Sequence, residues 1–306
     1  MKVRVATFNC ENLFARYKFK KSPPVADITT NGFTIEDVAF DFYDQDKRRI
    51  TAKAIEGVNA DVIALQEVEN LDVLERFRSE FLGGTKAYPH AMLIDGNDPR
   101  YIDVAVLSRH PIVHVRSYQE NKLTPTSRSF IFSRDCLEVD VQIEGKTLTL
   151  FVNHFKSMMG GRDQTKEKRL NQVQAVRKLI SERFGAKYPG RHAFIVLGDF
   201  NDYIETGKEG ESALPELVNW NQVENVVARL APEEQWTHYY AGGNEYRQLD
   251  YILVSKALKP KVQAVGIERR GMPKRAKRYT GERFKGVGDD NPKASDHCPV
   301  VVELDL

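Results

Sequence analysis

The amino-acid sequence predicts an α/β protein in which buried strands alternate with amphipathic helices. Residues 195–202 read IVLGDFND. A run of bulky apolar residues that ends at a glycine and a polar cluster is typical of a strand buried on both faces. Residues 71–81 carry leucine and phenylalanine at helical spacing, and two glycines follow that end the predicted helix. Glu144 and Gly145 mark the turn of a hairpin over residues 137–155.

The other elements follow along the chain. Periodicity predicts further strands at residues 2–9, 62–65, 101–108, 248–254 and 299–306, and further helices at 46–58 and 165–184. Residues 17–45 contain proline, asparagine and glycine that break any period, and we interpret them as a long irregular excursion on the surface. No internal repeat or low-complexity linker divides the sequence, so residues 1–306 are predicted to form a single domain.

Composition narrows the class of protein. The chain has 306 residues, of which 41% are hydrophobic and 29% charged, and these values are typical of a soluble globular protein. No apolar run approaches the roughly 20 residues that span a bilayer, and the alternating N-terminus does not resemble a signal peptide. The three cysteines have no paired spacing, so neither a disulfide framework nor a zinc knuckle is predicted. We therefore expect a cytoplasmic protein with no membrane association, and no obligate protein partner is evident.

Polar residues stand at or beside the ends of the predicted strands. They are Asn9, Glu11, Glu67, Asp103, His154, Asp199, Asn201, Asp250, Asp296 and His297. Carboxylates and amides without a thiolate suit a hard cation, so the sequence favours Mg²⁺ or Mn²⁺. Two histidines with separate carboxylates to orient them are typical of catalytic groups. Any one of these residues could instead cap a turn or pair with a surface charge. Their repetition at equivalent positions predicts a functional site.

Seven short motifs in the same order resemble those of the endonuclease/exonuclease/phosphatase superfamily. They are TFNCENL at 7–13, LQE at 65–67, YIDVAVLSR at 101–109, NHFKS at 153–157, GDFN at 198–201, LDYI at 249–252 and SDH at 295–297. That superfamily includes deoxyribonucleases, abasic-site endonucleases, inositol polyphosphate 5-phosphatases and neutral sphingomyelinases. The resemblance implies a four-layer α/β sandwich, with two mostly antiparallel sheets face to face and helices outside.

The resemblance also implies a metal pocket and a base. Glu67 would be the principal metal ligand, with Asn9, Glu11 and Asp296 lining the same pocket. Asp199 would orient and deprotonate the attacking water. In many members an aspartate stands where this chain has Glu11, and the change alters the reach of the carboxylate by one methylene.

The remaining roles lie on the phosphate side of the implied site. His297 would contact the scissile phosphate and be held by Asp250, while Asn201 would bind the phosphate or position the base. His154 would be a second phosphate-side histidine with Asp103 as its partner, although deoxyribonuclease-like members have glutamate at the latter position. Tyr101 would contact the substrate.

Within the superfamily we expect a metal-dependent nuclease that cuts DNA or RNA. The alternatives are a phosphatase acting on a small phosphorylated molecule such as a phosphoinositide, and a catalytically inactive relative that only binds. Both histidines and every expected carboxylate are present, which argues against the inactive relative. The NHFKS motif, followed by Arg169 and Gln172, most resembles bacterial nuclease-like members.

A basic segment favours a polynucleotide substrate. Residues 269–285 contain eight lysines and arginines, including Arg275 and Arg278, against the single acid Glu282. Basic residues neutralise backbone phosphates, so we predict that this loop binds the substrate backbone. The alternative is a solvated loop. Three further basic residues, Arg100, Arg134 and Lys156, are interpreted as solvated surface charges.

Overall fold

The apolar runs of the sequence form two six-stranded sheets in the computed structural model, which describes residues 1–19, 38–42, 44–205 and 210–306. The strands are β1 (Lys2–Leu13), β2 (Ala15–Phe19), β3 (Val38–Phe42), β4 (Val62–Val68), β5 (His90–Leu93), β6 (Asp103–Ser108), β7 (Ile112–Arg116), β8 (Cys136–Ile143), β9 (Lys146–His154), β10 (Phe194–Asp199), β11 (Val223–Asn225), β12 (His238–Tyr240), β13 (Glu245–Arg247), β14 (Asp250–Ser255), β15 (Val262–Ile267) and β16 (Val300–Asp305). The α-helices are α1 (Gln45–Val58), α2 (Leu71–Phe81), α3 (Arg162–Phe184) and α4 (Pro215–Val218).

The two sheets have the same pattern of strand directions. The first has the order β15-β16-β1-β4-β6-β5 and the second the order β11-β14-β10-β9-β8-β7. Near its centre each sheet contains one parallel pair, β1 with β4 and β9 with β10. The other neighbouring pairs of both sheets are antiparallel. The mostly antiparallel arrangement is therefore confirmed.

Side-chain alternation along each strand divides the apolar residues between an inner core and two outer cores. Val5 of β1 and Val62 of β4 lie in the inner core between the sheets, together with Leu150 of β9. Phe8 lies in the outer core that the first sheet forms with α1 and α2. Phe151 lies in the outer core that the second sheet forms with α3 and α4. The predicted four-layer α/β sandwich is confirmed.

The two parallel pairs place four polar residues at one edge of the sandwich, which we call the rim. Asn9 and Glu67 lie at this edge on β1 and β4, and His154 and Asp199 end β9 and β10. Hydrogen bonds and short contacts join these side chains. The antiparallel strand β14 begins at the rim, because Asp250 pairs with Asp199.

Glu67 reaches the rim through an irregularity in β4. Its register with the neighbouring strand shifts between Gln66 and Val68, and its φ of 62° is left-handed. An extra residue of this kind bends a strand and redirects a side chain, and such bulges are common next to active sites. The backbone N–H of Asn12 then fixes the carboxylate by donating to Oε2 at 3.0 Å.

The predicted excursion at residues 17–45 is wrong in part. Strands β2 and β3 pair antiparallel as a separate two-stranded sheet. The sequence of β3, VAFDF, carries the apolar alternation that predicts a strand, but its partner lies far away in the chain. Residues 20–37 and 43 of the excursion lie outside the described residues.

The structure also describes the cysteines and the length of the helices. Cys10, Cys136 and Cys298 are all buried free cysteines. Within the part of the chain that the structure describes, no helix combines the length and the apolar character needed to cross a membrane.

A buried charge network joins α3 to the loop after β10. The carboxylate of Asp202 is fully buried and accepts from Arg162 Nε at 2.8 Å and from Arg169 Nε at 3.1 Å. The Ala213 backbone N–H also donates to it, at 2.9 Å. This network fixes the start of α3 beside the rim.

Asp202→Asn should lower the free energy of unfolding by about 3–5 kcal/mol, because it leaves two buried guanidinium groups without their counter-charge. Urea denaturation at neutral pH measures the loss. The matched control is Glu211→Gln, which removes the exposed ion pair with Lys166 and should leave the denaturation midpoint unchanged. Equal midpoints for wild type and Asp202→Asn would contradict this account of the network.

Candidate active site

An open cleft of ≈ 790 Å³ lies at the rim and is lined by residues of both sheets. Its lining includes Glu67, His154, Asp199, Asn201, Asp296 and His297. The structure therefore brings together six of the predicted site residues around one cavity. Asp250 and Asn9 lie behind this layer, and both are buried.

Asn9 connects the two halves of the site. Its Nδ2 donates to Asp199 Oδ2 at 3.0 Å and lies 3.3 Å from Glu67 Oε1. Glu67 belongs to the same sheet as Asn9, whereas Asp199 belongs to the other. One amide group thus links the buried carboxylate of Asp199 to the partly exposed carboxylate of Glu67 across the sandwich.

Asp199 is held in a single orientation. The backbone N–H of Asn201 donates to Oδ1 at 2.8 Å, and the Asn201 side-chain Nδ2 donates to Oδ2 at 2.9 Å. Asn201 can make both contacts because its φ of 49° is left-handed, a conformation that asparagine tolerates. Burial raises the pKa of Asp199 to about 7, against the opposing charge of His297. A carboxylate of this kind accepts a proton readily near neutral pH.

His297 is positioned by a chain of hydrogen bonds. Its Nδ1 lies 2.9 Å from Asp250 Oδ2, and Thr237 Oγ1 donates to the same oxygen at 2.7 Å. Burial alone would lower the pKa of His297, but the charges of Asp250 and Asp199 outweigh it and raise that pKa well above its usual value. Nε2, which lies 3.8 Å from Asp199 Oδ2, is therefore a protonated donor that faces the predicted base.

His154 has the opposite protonation preference. Its Nε2 lies 3.5 Å from Asp199 Oδ2 and 3.8 Å from Glu67 Oε1. Burial, aided by the charge of Arg134, lowers the pKa of His154 well below its usual value, so the ring is neutral. Asp199, the predicted base, thus lies between one charged and one neutral imidazole.

The predicted partnership of Asp103 with His154 is not seen in the described residues. Asp103 Oδ1 accepts from the backbone N–H of Gly96 at 2.9 Å, and burial raises the pKa of Asp103 to about 7. His154 Nδ1 is buried without a hydrogen-bond partner in the same part of the chain. The short side chain of Asp103 is engaged by the loop at Gly96, so its role toward His154 stays a prediction.

Glu67 and Asp296 form the part of the predicted metal pocket that faces the cleft. Burial raises the pKa of Glu67, and the charge of Asp296 raises it further, so the two carboxylates repel each other. Burial opposes ionisation of Asp296 as well, but the imidazoles of His238 and His297 outweigh it and lower the pKa of Asp296. A hard divalent cation between the two carboxylates would relieve their repulsion, so these residues fit the predicted metal.

Glu11 and Asn9 contribute less directly to that pocket. Glu11 forms ion pairs with Lys47 at 2.8 Å and Lys293 at 3.2 Å, and its Oε2 also accepts from the Asp296 backbone N–H at 3.0 Å. Asn9 can offer only Oδ1, which already accepts one hydrogen bond from the Glu11 backbone. Their roles as ligands remain predictions.

The predicted substrate contacts divide into two groups. Tyr101 is 61% exposed, and its neighbours Arg100 and Ile102 line the cleft. Arg275 and Arg278 are exposed but are not among the cleft-lining residues described for this structure.

The basic loop lies against the β12–β13 hairpin, away from the cleft. Met272 and Ala276 of the loop share a core cluster with Tyr239, and the Arg278 guanidinium lies 4.5 Å from the ring centre of Tyr246. Alternation along β12 directs its neighbour Tyr240 to the cleft instead. The loop therefore packs on the face of the hairpin opposite Tyr240, and its residues are not among those that line the cleft.

Several residues that line the cleft are not predicted from the sequence, and two of them, Arg134 and His238, lie near the predicted catalytic groups. Arg134, interpreted as a solvated surface charge, is 1% exposed, because its guanidinium lies at the base of the cleft beside Asp98. The sequence analysis gives His238 no role, yet this residue lines the cleft next to Asp296 and His297. Alternation in the segment WTHYY places His238 and Tyr240 on one face, and this was the available signal.

Asp250→Asn should lower the pKa of His297, because it removes the nearer of the two charges that raise it. The pKa of His297 in the folded state lies above the unfolded value of about 6.5. The charged imidazole therefore contributes its full stabilisation below pH 6.5, and this stabilisation is lost as the pH rises through the folded-state pKa. The substitution should therefore destabilise the protein most near pH 6. Histidine NMR titration and urea denaturation of chelator-treated protein measure both effects. The control is Asp61→Asn, which removes a partner of the distant Arg109. An unchanged His297 pKa in Asp250→Asn would refute the assignment.

Comparison with known proteins identifies the family of the chain. The model of the Endonuclease/Exonuclease/phosphatase family matches residues 4–305. No curated protein sequence gives a match. An endonuclease/exonuclease/phosphatase family protein from Bacteroides thetaiotaomicron is 18% identical, with 100% of this chain and 99% of that chain covered and a TM-score of 0.60.

Two further structures are similar at the level of fold. D. rerio TDP2 complexed with single strand DNA product is 16% identical, with 100% and 99% of the two chains covered and a TM-score of 0.60. The human nocturnin catalytic domain with bound sulfate anion is 15% identical, with 99% and 94% covered and a TM-score of 0.60. On the match to nearly its whole length, the chain belongs to the endonuclease/exonuclease/phosphatase family.

Proposed function

We propose that the protein is a divalent-metal-dependent phosphodiester hydrolase whose substrate is a nucleic acid, either DNA or RNA. The observation that carries the proposal is the position of Asp199. Three hydrogen bonds from Asn9 and Asn201 fix its carboxylate, and two imidazoles lie within 3.8 Å of it. This arrangement suits activation of a water molecule beside a phosphate group.

The protein's own residues can perform the central step. Asp199 takes a proton from the attacking water, since burial raises its pKa to about 7. Negative charge then develops on the phosphate oxygens, and protonated His297 can donate a hydrogen bond to one of them from Nε2. Neutral His154 supplies a second donor without adding a charge. Asp250 keeps the His297 ring in place throughout.

Glu67 and Asp296 would hold the cation, with Asn9 and Glu11 beside them. A bound Mg²⁺ or Mn²⁺ supplies charge stabilisation to the phosphate oxygens. The oxygen donors and the mutual repulsion of the two carboxylates support this assignment.

The lining of the cleft supports an organic substrate larger than a phosphate group. Ile102, Met158 and Tyr240 provide apolar and aromatic surface beside the charged groups, and Tyr240 is 57% exposed. Exposed aromatic rings can stack on nucleobases. The D. rerio TDP2 structure with a single strand DNA product supports the same class of substrate.

The basic loop would contact only part of a long substrate. Arg275 and Arg278 lie outside the cleft, so they would contact only a polynucleotide long enough to extend past the β12–β13 hairpin.

The proposed location of the protein is cytoplasmic, which the three buried, free cysteines support.

Hydrolysis should require Mg²⁺ or Mn²⁺, and Glu67→Gln should abolish it. Mg²⁺ should also stabilise the wild-type protein, by about 2.7 kcal/mol at 100 times its dissociation constant, and this gain should be absent in Glu67→Gln. Thermal unfolding with and without Mg²⁺ measures the second effect independently of any substrate. Full activity in excess chelator would rule out the cation.

A separate activity assay compares four kinds of substrate, which are plasmid DNA, an abasic duplex, RNA and several phosphomonoesters. Asp199→Asn should eliminate turnover of every substrate and preserve the fold, as judged by circular dichroism. The matched control Asp61→Asn should keep wild-type activity. Turnover of phosphomonoesters without any cleavage of nucleic acid would contradict the nuclease proposal and favour the alternative function, a phosphatase.

A further inference from the structure

His238 occupies a position that the proposed hydrolysis does not use. It lies on β12, and its ring centre is 4.6 Å from that of His297. Its Nε2 is 3.8 Å from Asp296 Oδ2. Its Nδ1 is buried and has no hydrogen-bond partner within the described ranges. The side chain lines the cleft, and it is Nε2 that faces the carboxylate of Asp296.

Three side chains converge at this point. His238, Asp296 and His297 each offer one ligand atom, and these atoms all lie within 4.8 Å of one another. Asp250 engages His297 through Nδ1 at 2.9 Å, which directs Nε2 toward the cluster. A histidine whose second ring nitrogen is held by a carboxylate is the usual arrangement of a metal-binding imidazole.

The separations are close to those of a zinc site. Zn–N and Zn–O bonds of about 2.0–2.1 Å place the donor atoms of a tetrahedral site roughly 3.4 Å apart. His238 Nε2 and His297 Nε2 lie 3.8 and 4.0 Å from the Asp296 oxygens. Zinc binding would draw the three donor atoms, which lie within 4.8 Å of one another, closer together.

We propose that His238, Asp296 and His297 form a site for a borderline transition-metal ion, with Zn²⁺ as its best occupant. Imidazole nitrogen suits Zn²⁺, whereas carboxylate and carbonyl oxygens suit Mg²⁺. The site therefore differs in selectivity from the oxygen pocket at Glu67, although the two share Asp296. Zinc displaces the Nε2 proton of His297 into solvent and occupies the nitrogen that would face the phosphate. Bound zinc should consequently inhibit the proposed hydrolysis.

The binding test does not depend on any activity. Titration calorimetry of the chelator-treated full chain in excess Mg²⁺ should give one zinc per protein. His238→Asn removes one of the three proposed ligands and should weaken zinc binding by at least tenfold, because the loss of even an outer partner of a ligand typically weakens metal binding by roughly 10- to 100-fold. The matched control His114→Asn changes an exposed histidine on β7 and should bind zinc like the wild type. Wild-type affinity in His238→Asn would overturn the site.

Two further measurements separate this site from its neighbours. Zinc should shift the imidazole NMR signals of His238 and His297 in the unmodified protein while leaving His114 unchanged. This result does not require any variant to fold. Glu67→Gln should retain zinc binding even if it loses Mg²⁺. An unshifted His238 signal at saturating zinc, or loss of zinc binding in Glu67→Gln, would show that the ion binds elsewhere.

Discussion

The contact between Asn9 and Asp199 is the constraint on which the rest of the site depends. The two sheets are joined mainly by apolar packing, which is not directional. Packing alone therefore does not set the relative position of polar groups at the rim. A hydrogen bond of 3.0 Å from the Asn9 amide to the carboxylate of the other sheet sets that position. The same amide group also lies beside Glu67, so Asn9 positions both the predicted base and the predicted metal ligand.

Buried charge at the rim is tolerated because each group has a compensating neighbour. Glu67 and Asp199 are both carboxylates whose pKa burial raises. His297 is a cation whose pKa the surrounding carboxylates raise against the effect of burial. Ionising a buried group costs stability unless an opposite charge or hydrogen bonds offset it. The proposed divalent cation at Glu67 would complete this balance, so metal affinity and protein stability should be coupled.

Backbone strain is concentrated at the same place. Glu11, Asn12, Glu67, Tyr101 and Asn201 all have positive φ values between 49° and 62°. Such conformations cost of order 1–3 kcal/mol each and persist only where surrounding structure enforces them. Here the rigid ends of paired strands supply that enforcement. At Glu67 the left-handed conformation coincides with the register shift in β4, and its side chain lines the cleft.

The sequence predicts those features that depend on local pattern. The hairpin at Glu144 and Gly145, the helix at Leu71–Phe81 and the strand that ends at Asp199 are all confirmed, because periodicity and turn residues determine them. Asn9, Glu67, His154 and Asp199 converge because the two parallel strand pairs bring them to one edge, although β1 continues past the predicted end at Asn9 to Leu13.

Features that depend on which surfaces meet could not be predicted in this way. Arg134 is buried because a neighbouring loop and Asp98 enclose it. The basic loop packs behind the β12–β13 hairpin because Met272 and Ala276 join a core cluster there. The pairing of β2 with β3 joins segments that are far apart in sequence. The period of a segment predicts its own conformation but does not specify which other segment it will contact.

The central claim is that Asn9 and Asp199 act as one unit that joins the sheets. A double-mutant cycle on the free energy of unfolding tests it with Asn9→Asp, Asp199→Asn and the combined exchange. Asn9→Asp alone adds a third carboxylate beside Glu67 and Asp199 and should be strongly destabilising. The exchange restores an amide opposite a carboxylate, so the two changes should show a favourable coupling of at least about 1 kcal/mol. Additive losses in the cycle would contradict the account, because they would mean that the two side chains do not interact across the rim.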